Sequence, residues 1–422
     1  MMDQAPLAPQ DIAVIGAGLV GSACALALAA DGHRVTIYDP DPPGAGTSSG
    51  NAGGIVTGAV VPTATPQVLR ALPSYLLDRN SPAVLRLRHA VQAAPWLWRF
   101  IRAGRPAEVA RIAAALWPLV DGSLAAHRHL AGLSGAAGMI TDEGWLKVYA
   151  SEAEFAATAA DRLLMDRCGV RYQVLDRDEV MALEPGLNPD LVQIGLHQPE
   201  SGFVPDPRGL AQSYADAAMA RGAQHLRQRV RGVARSPAGV TVHAEPGPQH
   251  FDRLVIAAGA WSATLARQLG DRASLDTERG YHLGFGSGTA DLLRRPVGLP
   301  GLGMVLSPMQ DGLRLVSGDE LAGLVAPPDF RRIRALVPGA QRAVPGLRGL
   351  PVVSEWMGFR PSTPDSLPVI GPSPRGPEVV HAFGHGHLGL TLSAITALIV
   401  ADAIAGRPPR LDPGPYGIER FS

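Results

Sequence analysis

Apolar positions along the chain change period several times, and each change marks a predicted element. Asp11 to Ile15 is a short apolar run that reads as a strand. A glycine turn follows, then a small-residue apolar helix to about Asp31 and a second strand over Val35 to Tyr38, ending at Asp39. From Gln67 to about Arg167 apolar residues recur three and four apart, as in Val84-Leu85-Leu87, Trp96-Leu97-Phe100-Ile101 and Ile112-Leu116-Leu119. That spacing predicts mostly helix, with a strand at Trp145 to Tyr149. Val170 to Leu175 predicts another strand, and Asp178 to Leu183 a short helix stopped by Pro185. A helix over about Gly209 to Arg221, with Pro207 near its first turn, precedes strand-like Val240 to Val242 and Asp252 to Ala257. Period-two runs with glycine-rich links at Tyr281 to Phe285, Met304 to Pro308 and Leu313 to Gly318 predict an antiparallel sheet. The last apolar run, Leu388 to Ala401, carries Thr and Ser and is short for a membrane span, so it predicts a buried helix.

Composition narrows the class. The 422 residues, 46 % hydrophobic and 18 % charged, suit two or three globular domains. Basic and acidic residues number 38 each, so the bulk basic surplus that a nucleic-acid protein needs is missing. Lys147 is the only lysine, and its surroundings fit neither a Schiff-base site nor a P-loop. Cys24 and Cys168 lack the spacing of a zinc site or a redox pair and read as structural thiols in a reducing compartment. The first ten residues lack the basic start of a secretory signal. The expected location is the cytoplasm, with room for peripheral contact at the inner face of the cytoplasmic membrane.

The amino-terminal unit carries a phosphate-binding signature. Gly16 permits the tight strand-to-helix turn, Gly18 lets a pyrophosphate approach backbone N–H groups, and Gly21 lets helix and strand pack closely. The helix N-terminus then meets the phosphates, and Asp39 at the end of the second strand can bind a ribose diol. An acid there disfavours the 2′-phosphate of NADP. The Ser/Gly/Asn stretch from Gly44 to Ile55 follows at once, where hydroxyls and N–H groups can meet phosphate and polyol oxygens.

The C-terminal third holds the reactive residue types. Four prolines stiffen Trp356 to Pro372 around Arg360 and Asp365. A guanidinium there needs a carboxylate, either from Asp365 or from a substrate. Phe383 to Thr391 is a glycine-rich crossing into the last helix, whose free N–H groups can stabilise negative charge. His385 and His387 stand two apart without a third ligand at useful spacing, so no metal is expected. Gly318-Asp319-Glu320 reads as a solvated strand end, and Tyr281 as either strand packing or a site residue.

On these motifs the chain resembles the FAD-dependent D-amino-acid oxidase/dehydrogenase superfamily. The match rests on Ser48, Asn51, Gly53 and Gly54 after the glycine turn, on Glu278 to Tyr281, on Gly358-Phe359-Arg360-Pro361-Ser362-Thr363-Pro364-Asp365, and on Gly384 to Gly389. Within the superfamily it is similar to the bacterial D-amino-acid dehydrogenases of small-subunit type, including D-hydroxyproline-type members. The resemblance implies an α/β chain, α+β overall, with a discontinuous Rossmann-like FAD-binding domain and a mainly antiparallel-sheet substrate domain. The expected FAD segments are 11–66, 202–270 and 356–422; the substrate segments are 67–201 and 271–355. FAD would be held by Gly16, Gly18, Gly21, Asp39, Ser48, Asn51, Gly53, Gly54, Val230, Gly259, Gly386, Leu388, Gly389 and Thr391, with Val230 near the adenine. Asn51 stands where some relatives carry a tethering histidine, which implies non-covalent FAD.

The same resemblance implies that Arg360 binds an α-carboxylate, that Tyr281 closes over the substrate and that His387 faces it, while His385 supports the flavin loop. The expected reaction is hydride transfer from Cα of a D-amino acid to flavin N5. It yields an imine, then a 2-oxo acid and ammonia, and the electrons pass to a quinone or another acceptor. The amine would bind already deprotonated, with no side-chain base. Rival readings are a D-proline or D-hydroxyproline dehydrogenase, an oxygen-dependent glycine, sarcosine or opine oxidase, and a non-enzymatic FAD-stabilised protein.

Overall fold

Asp11–Ile15 lies between two parallel neighbours, Arg34–Tyr38 and Arg253–Ile256, and every residue after the first is buried. A strand covered on both faces can be apolar throughout, which explains the unbroken run in the sequence. The computed structural model, which describes residues 8–77 and 83–422, extends this trio into a six-stranded sheet. Gln224–Leu226 adds to one edge and Gly376–Phe383 to the other, both in parallel, and Val369–Ser373 closes the second edge antiparallel. The helices Leu19–Ala30 and Gly389–Ile404 pack on it and on each other, buried over most of their length. A helix enclosed on all sides needs no polar stripe, hence its uniform apolarity. Segments 106–134 and 386–404 are apolar and long enough to cross a membrane by length and composition, and the second lies mostly inside the protein.

The second sheet has nine strands among the described residues. In spatial order its path is Ser354–Ser362, Asp276–Gly284, Gly312–Leu321, Met304–Met309, Val297–Leu299, Trp145–Tyr149, Ile194–Gln198 and Gln173–Leu175. Most pairings are antiparallel, as the period-two runs predict. The nucleotide-type sheet built from distant segments and the antiparallel sheet together give the expected mixed architecture.

Three details differ from the sequence reading. Ala83–Leu85 is a strand paired parallel to Asp319–Leu321, so Val84 and Leu85 start no helix; the open edge of backbone there outweighs a short helical spacing. The helices Leu87–Ala103, Pro106–Asp121 and Ser123–Ser134 bury Trp96, Phe100, Ile112, Leu116 and Leu130 in the same core as Ile12, Leu26 and Ile395. They therefore pack with the nucleotide-type half, although they fall inside the expected substrate segment 67–201. Ser354–Ser362 belongs to the antiparallel sheet, so the expected FAD segment 356–422 is split by its own first strand.

Candidate active site

The turn after Asp11–Ile15 is shaped by close backbone approach. Gly16 has φ of 106°, and a Cβ there would lie 2.3 Å from the Ala257 carbonyl oxygen. A Cβ on Gly21 would lie 1.8 Å from the Gly16 carbonyl oxygen. Gly21 thus seats the helix on the turn, the close packing expected of it, and is not among the residues lining the cavity. The Gly18 N–H, at the helix N-terminus, has no acceptor among the described residues. The Asp39 carboxylate accepts from the N–H groups of Ala17 at 2.7 Å and Asp41 at 3.0 Å, and Ser48 Oγ accepts from Leu19 N–H at 2.9 Å.

A cavity of about 890 Å³ extends from this turn to Arg360 and His387. Gly16, Gly18, Asp39, Ser48, Asn51, Gly54, Val230, Gly259, Gly386, Leu388, Gly389 and Thr391 all line it. Gly53 does not: its φ is 73°, and a Cβ there would meet the Val204 carbonyl oxygen at 2.5 Å, so it permits a close chain crossing within that loop. Asn51 fixes its own loop, donating to the Ser48 carbonyl at 2.7 Å and accepting from Gly53 N–H at 2.8 Å. Thr391 ties the last helix to that loop, donating to the Gly54 carbonyl at 3.1 Å and accepting from Val56 N–H at 3.2 Å. A free N-terminal N–H, a carboxylate after the second strand and glycines that keep the walls thin fit the phosphates, ribose and ring of a flavin dinucleotide.

The antiparallel sheet grips the same loop. Arg314 Nη1 donates to the carbonyls of Ser49 and Asn51, each at 3.0 Å, and His282 Nδ1 lies 3.1 Å from the Gly50 carbonyl oxygen. Burial, then the Arg314 charge, pushes the His282 imidazole down to about 4, so it stays neutral and stacks on Trp356 with ring centroids 5.1 Å apart. Neither Arg314 nor His282 is recognisable from the sequence as part of this loop's support; their partners lie more than two hundred positions away.

Arg360 stands on the cavity wall with its side chain 17 % exposed. Its Nη1 donates to the Gly318 carbonyl at 2.8 Å and to Asp319 Oδ1 at 2.7 Å, while Nε and Nη2 have no acceptor among the described residues. Half of the fork is therefore open. Gly280 makes the space, since a Cβ there would lie 2.3 Å from Arg360 Nη2. Asp365 does not pair with Arg360; it binds Arg420 Nε at 2.9 Å and so ties its loop to the C-terminal segment.

A bulge supplies the Arg360 partners. Opposite Arg279 to Tyr281 the neighbouring strand runs from Glu320 back to Ser317, one residue more, with Gly318 at φ 88°. The extra residue sends Asp319 to the cavity and Glu320 into the core beneath the sheet, where it is 6 % exposed. This overturns the reading of 318–320 as a solvated strand end. Asp319 Oδ1 also lies 3.5 Å from His387 Nε2, and Glu278 Oε2 lies 2.9 Å from that same nitrogen and accepts from Ser362 Oγ at 3.0 Å. The ligand-type atoms of Glu278, Asp319 and His387 fall within 4.8 Å of one another. With Arg360 already donating to Asp319, the cluster is a network of two acids with an arginine and a histidine.

Charge sets the protonation of this network. Burial works against the His387 imidazolium, but the Asp319 and Glu278 carboxylates outweigh burial and the opposing Arg360 charge, so His387 holds its proton more tightly than an ordinary histidine. Burial works against the Glu278 carboxylate, and the His387 and Ser362 hydrogen bonds with the Arg360 charge keep it below the usual range. His385 is separate: fully buried, bonded through Nε2 to Thr396 Oγ1 at 2.9 Å, and pushed down to about 3, it anchors the crossing to the last helix as a neutral ring.

Tyr281 does not reach the cavity. It lies on the face of its strand opposite Gly280, packs edge-on against Phe330 and donates to Glu320 while accepting from Asp329 N–H at 3.2 Å. Burial and Glu320 push its phenol up to about 12. Side chains alternate along a strand, so Glu278, Gly280 and His282 take the cavity side and Tyr281 the other. The signal that could have found Glu278 was this same alternation, counted back from Gly280.

A family model described as FAD dependent oxidoreductase (DAO) matches residues 11–403. The chain is 34 % identical over 421 residues to a D-amino-acid oxidase of Bradyrhizobium diazoefficiens, covering 97 % of this chain and 98 % of the relative. It is 29 % identical over 423 residues to a D-amino acid dehydrogenase of Granulibacter bethesdensis, covering 97 % and 99 %. Among solved structures, the glycine oxidase of Geobacillus kaustophilus superposes with a TM-score of 0.74 at 25 % identity, over 98 % of this chain and 99 % of that one.

Proposed function

The chain belongs to the FAD-dependent oxidoreductase (DAO) family, and from that premise we propose that it oxidises the Cα–N bond of an amino acid. The favoured substrate is a D-amino acid, as the relatives named D-amino-acid oxidase and D-amino acid dehydrogenase support. The observation that carries the reading is the half-open Arg360 fork on the wall of the cavity that the dinucleotide turn also lines. Bound non-covalently, FAD supplies the two-electron acceptor for the Cα hydrogen.

The protein residues supply the rest. Arg360 Nε and Nη2 take the substrate carboxylate in a charge-assisted pair, which removes most of the freedom of Cα. Gly318 and Asp319 hold the other edge of the guanidinium, so the fork need not reorganise when substrate enters. The imine product hydrolyses to a 2-oxo acid and ammonia; from a cyclic secondary amine it stays a cyclic imine. We assign the electrons to a quinone or similar acceptor and the protein to the cytoplasm, meeting that acceptor at the inner face of the membrane.

Mixing the FAD-loaded protein anaerobically with D- and L-amino acids, glycine, sarcosine and D-hydroxyprolines tests the reading. Loss of the oxidised flavin band with one or more D-amino acids is expected. No bleaching by any amine would contradict it, and rapid peroxide formation on admitting air would favour an oxidase over the quinone-linked reaction.

A further inference from the structure

A substrate whose carboxylate sits on Arg360 brings its ammonium within a few ångströms of the groups around that fork, and those groups are the Asp319–His387–Glu278 network. Asp319 Oδ1 bridges Arg360 Nη1 at 2.7 Å and His387 Nε2 at 3.5 Å, so the imidazole is the next group along the wall. Its Nε2 is committed to Glu278 at 2.9 Å, whereas its other ring nitrogen has no partner among the described residues. Glu278, Asp319 and Arg360, on three neighbouring strands, are the charged groups near the ring, and 36 % of its side-chain surface stays open. Glu278, by contrast, is 5 % exposed and does not line the main cavity.

A second cavity of about 230 Å³ lies behind this wall. Glu278, Asp319 and His387 line it together with Ser362, Thr363 and Ser366, while Asp319 and His387 also line the main cavity. The histidine–carboxylate pair thus meets both the space where the substrate would sit and a small chamber, of a size that holds several waters, whose lining mixes these polar groups with Ala59, Val61, Leu116 and Leu388.

We propose, resting on the amine-oxidising reading above, that His387 is the general base that takes the proton from the substrate ammonium, that Glu278 is its positioning residue, and that the proton leaves through the second cavity. Above the raised pKa of His387, where the ring is neutral, the N–H bond of the ammonium breaks with its electron pair left on nitrogen, and the proton bonds to Nδ1 of the imidazole. Glu278, accepting from Nε2–H, stabilises the imidazolium that results and fixes which nitrogen is free. The free amine then carries the lone pair that assists departure of the Cα hydrogen. Asp319, Glu278 and Arg360 are the charged groups facing the ring, and the two acids outweigh the arginine, which suits a base that must compete with an amine for a proton. Arginine-bound carboxylate and histidine-bound amine together fix two points of the substrate, with no demand on Tyr281.

The experiment is anaerobic flavin reduction of the FAD-loaded protein across pH, for wild type, His387→Asn, His387→Ala and Glu278→Gln, using an amino acid that bleaches the wild type. Binding of butyrate, read from the flavin spectrum, reports whether each variant keeps an intact site. The expected result is unchanged butyrate affinity in His387→Asn with reduction slowed about 10²-fold or more between the raised pKa of His387 and the pKa of the free amine. The rising limb of its pH profile moves toward the pKa of the free amine, and added imidazole restores part of the rate in His387→Ala. Glu278→Gln moves the limb the other way, to lower pH. An unmoved limb and an unchanged rate in His387→Asn would overturn the proposal while leaving the amine-oxidising reading intact. A wild type that no amine bleaches would remove that reading, and this base with it.

Discussion

Two atoms of one side chain carry the selectivity proposed for the cavity. Arg360 offers Nε and Nη2 to an incoming group and keeps Nη1 for Gly318 and Asp319. Gly280→Ala would place a methyl where the guanidinium now lies, and the arginine can swing away at little cost to the fold. The expected outcome is a KM for amino acids raised about tenfold or more, with stability within ~1 kcal/mol of wild type; steady-state kinetics and thermal unfolding check both. The Glu278–His387 pair makes a second prediction. Glu278 is depressed, so its contribution to stability is present above the ordinary carboxyl pKa and is lost as pH falls through the lowered one. His387 is raised, so its contribution is present below the ordinary imidazole pKa and is lost as pH rises through the raised one. The pair is whole between those limits, and Glu278→Gln should flatten the pH dependence of stability at both ends; a curve that keeps its shape would contradict the assignment.

At the scale of elements, the pieces that were legible in the sequence are those whose pattern is local. The glycine turn and its flanking strands, the short helix before Pro185 and the buried last helix each declare themselves within some twenty residues. What was not legible depends on pairings between distant strands. The bulge at Gly318 exists only relative to Arg279 and Tyr281, so no count along one strand shows that Asp319 and Glu320 go to opposite faces. For Tyr281, of the two readings the sequence left open, strand packing is the one the structure shows, and the reason is local: the motif Glu278 to Tyr281 was read as a unit, whereas strand alternation divides it. The bulge is itself testable. Alanine at Gly318 must adopt a φ of 88° and bring its Cβ to 3.3 Å from the Tyr281 ring. A loss of about 1–2 kcal/mol is expected in denaturant unfolding, together with weaker substrate binding as the Arg360 partner shifts.

Across the whole molecule, the two sheets are joined through one loop. Arg314, His282 and the Phe359 carbonyl on the antiparallel sheet hold residues 47–51, and the dinucleotide turn holds Ser48 from the other side. FAD lying in the shared cavity would touch both halves at once. Its binding free energy then adds to the stability of the entire chain: free FAD at 100 times its Kd should stabilise the apoprotein by about 2.7 kcal/mol, visible as a concentration-dependent rise in Tm. The joining also runs across the expected domain limits, since the helices from Leu87 to Ser134 fill the core beside Leu19–Ala30 and the Arg360 strand crosses to the other sheet.

The shared cavity is tested most directly by a ligand that cannot react. Titrating butyrate into the oxidised FAD-loaded protein should give a saturable shift of the flavin spectrum, because a carboxylate on Arg360 would lie beside the ring. Arg360→Leu should weaken that binding about 10²-fold or more while keeping its flavin. An Arg360→Leu protein that retains flavin and binds butyrate as tightly as wild type would show that the arginine and the ring do not meet across one space.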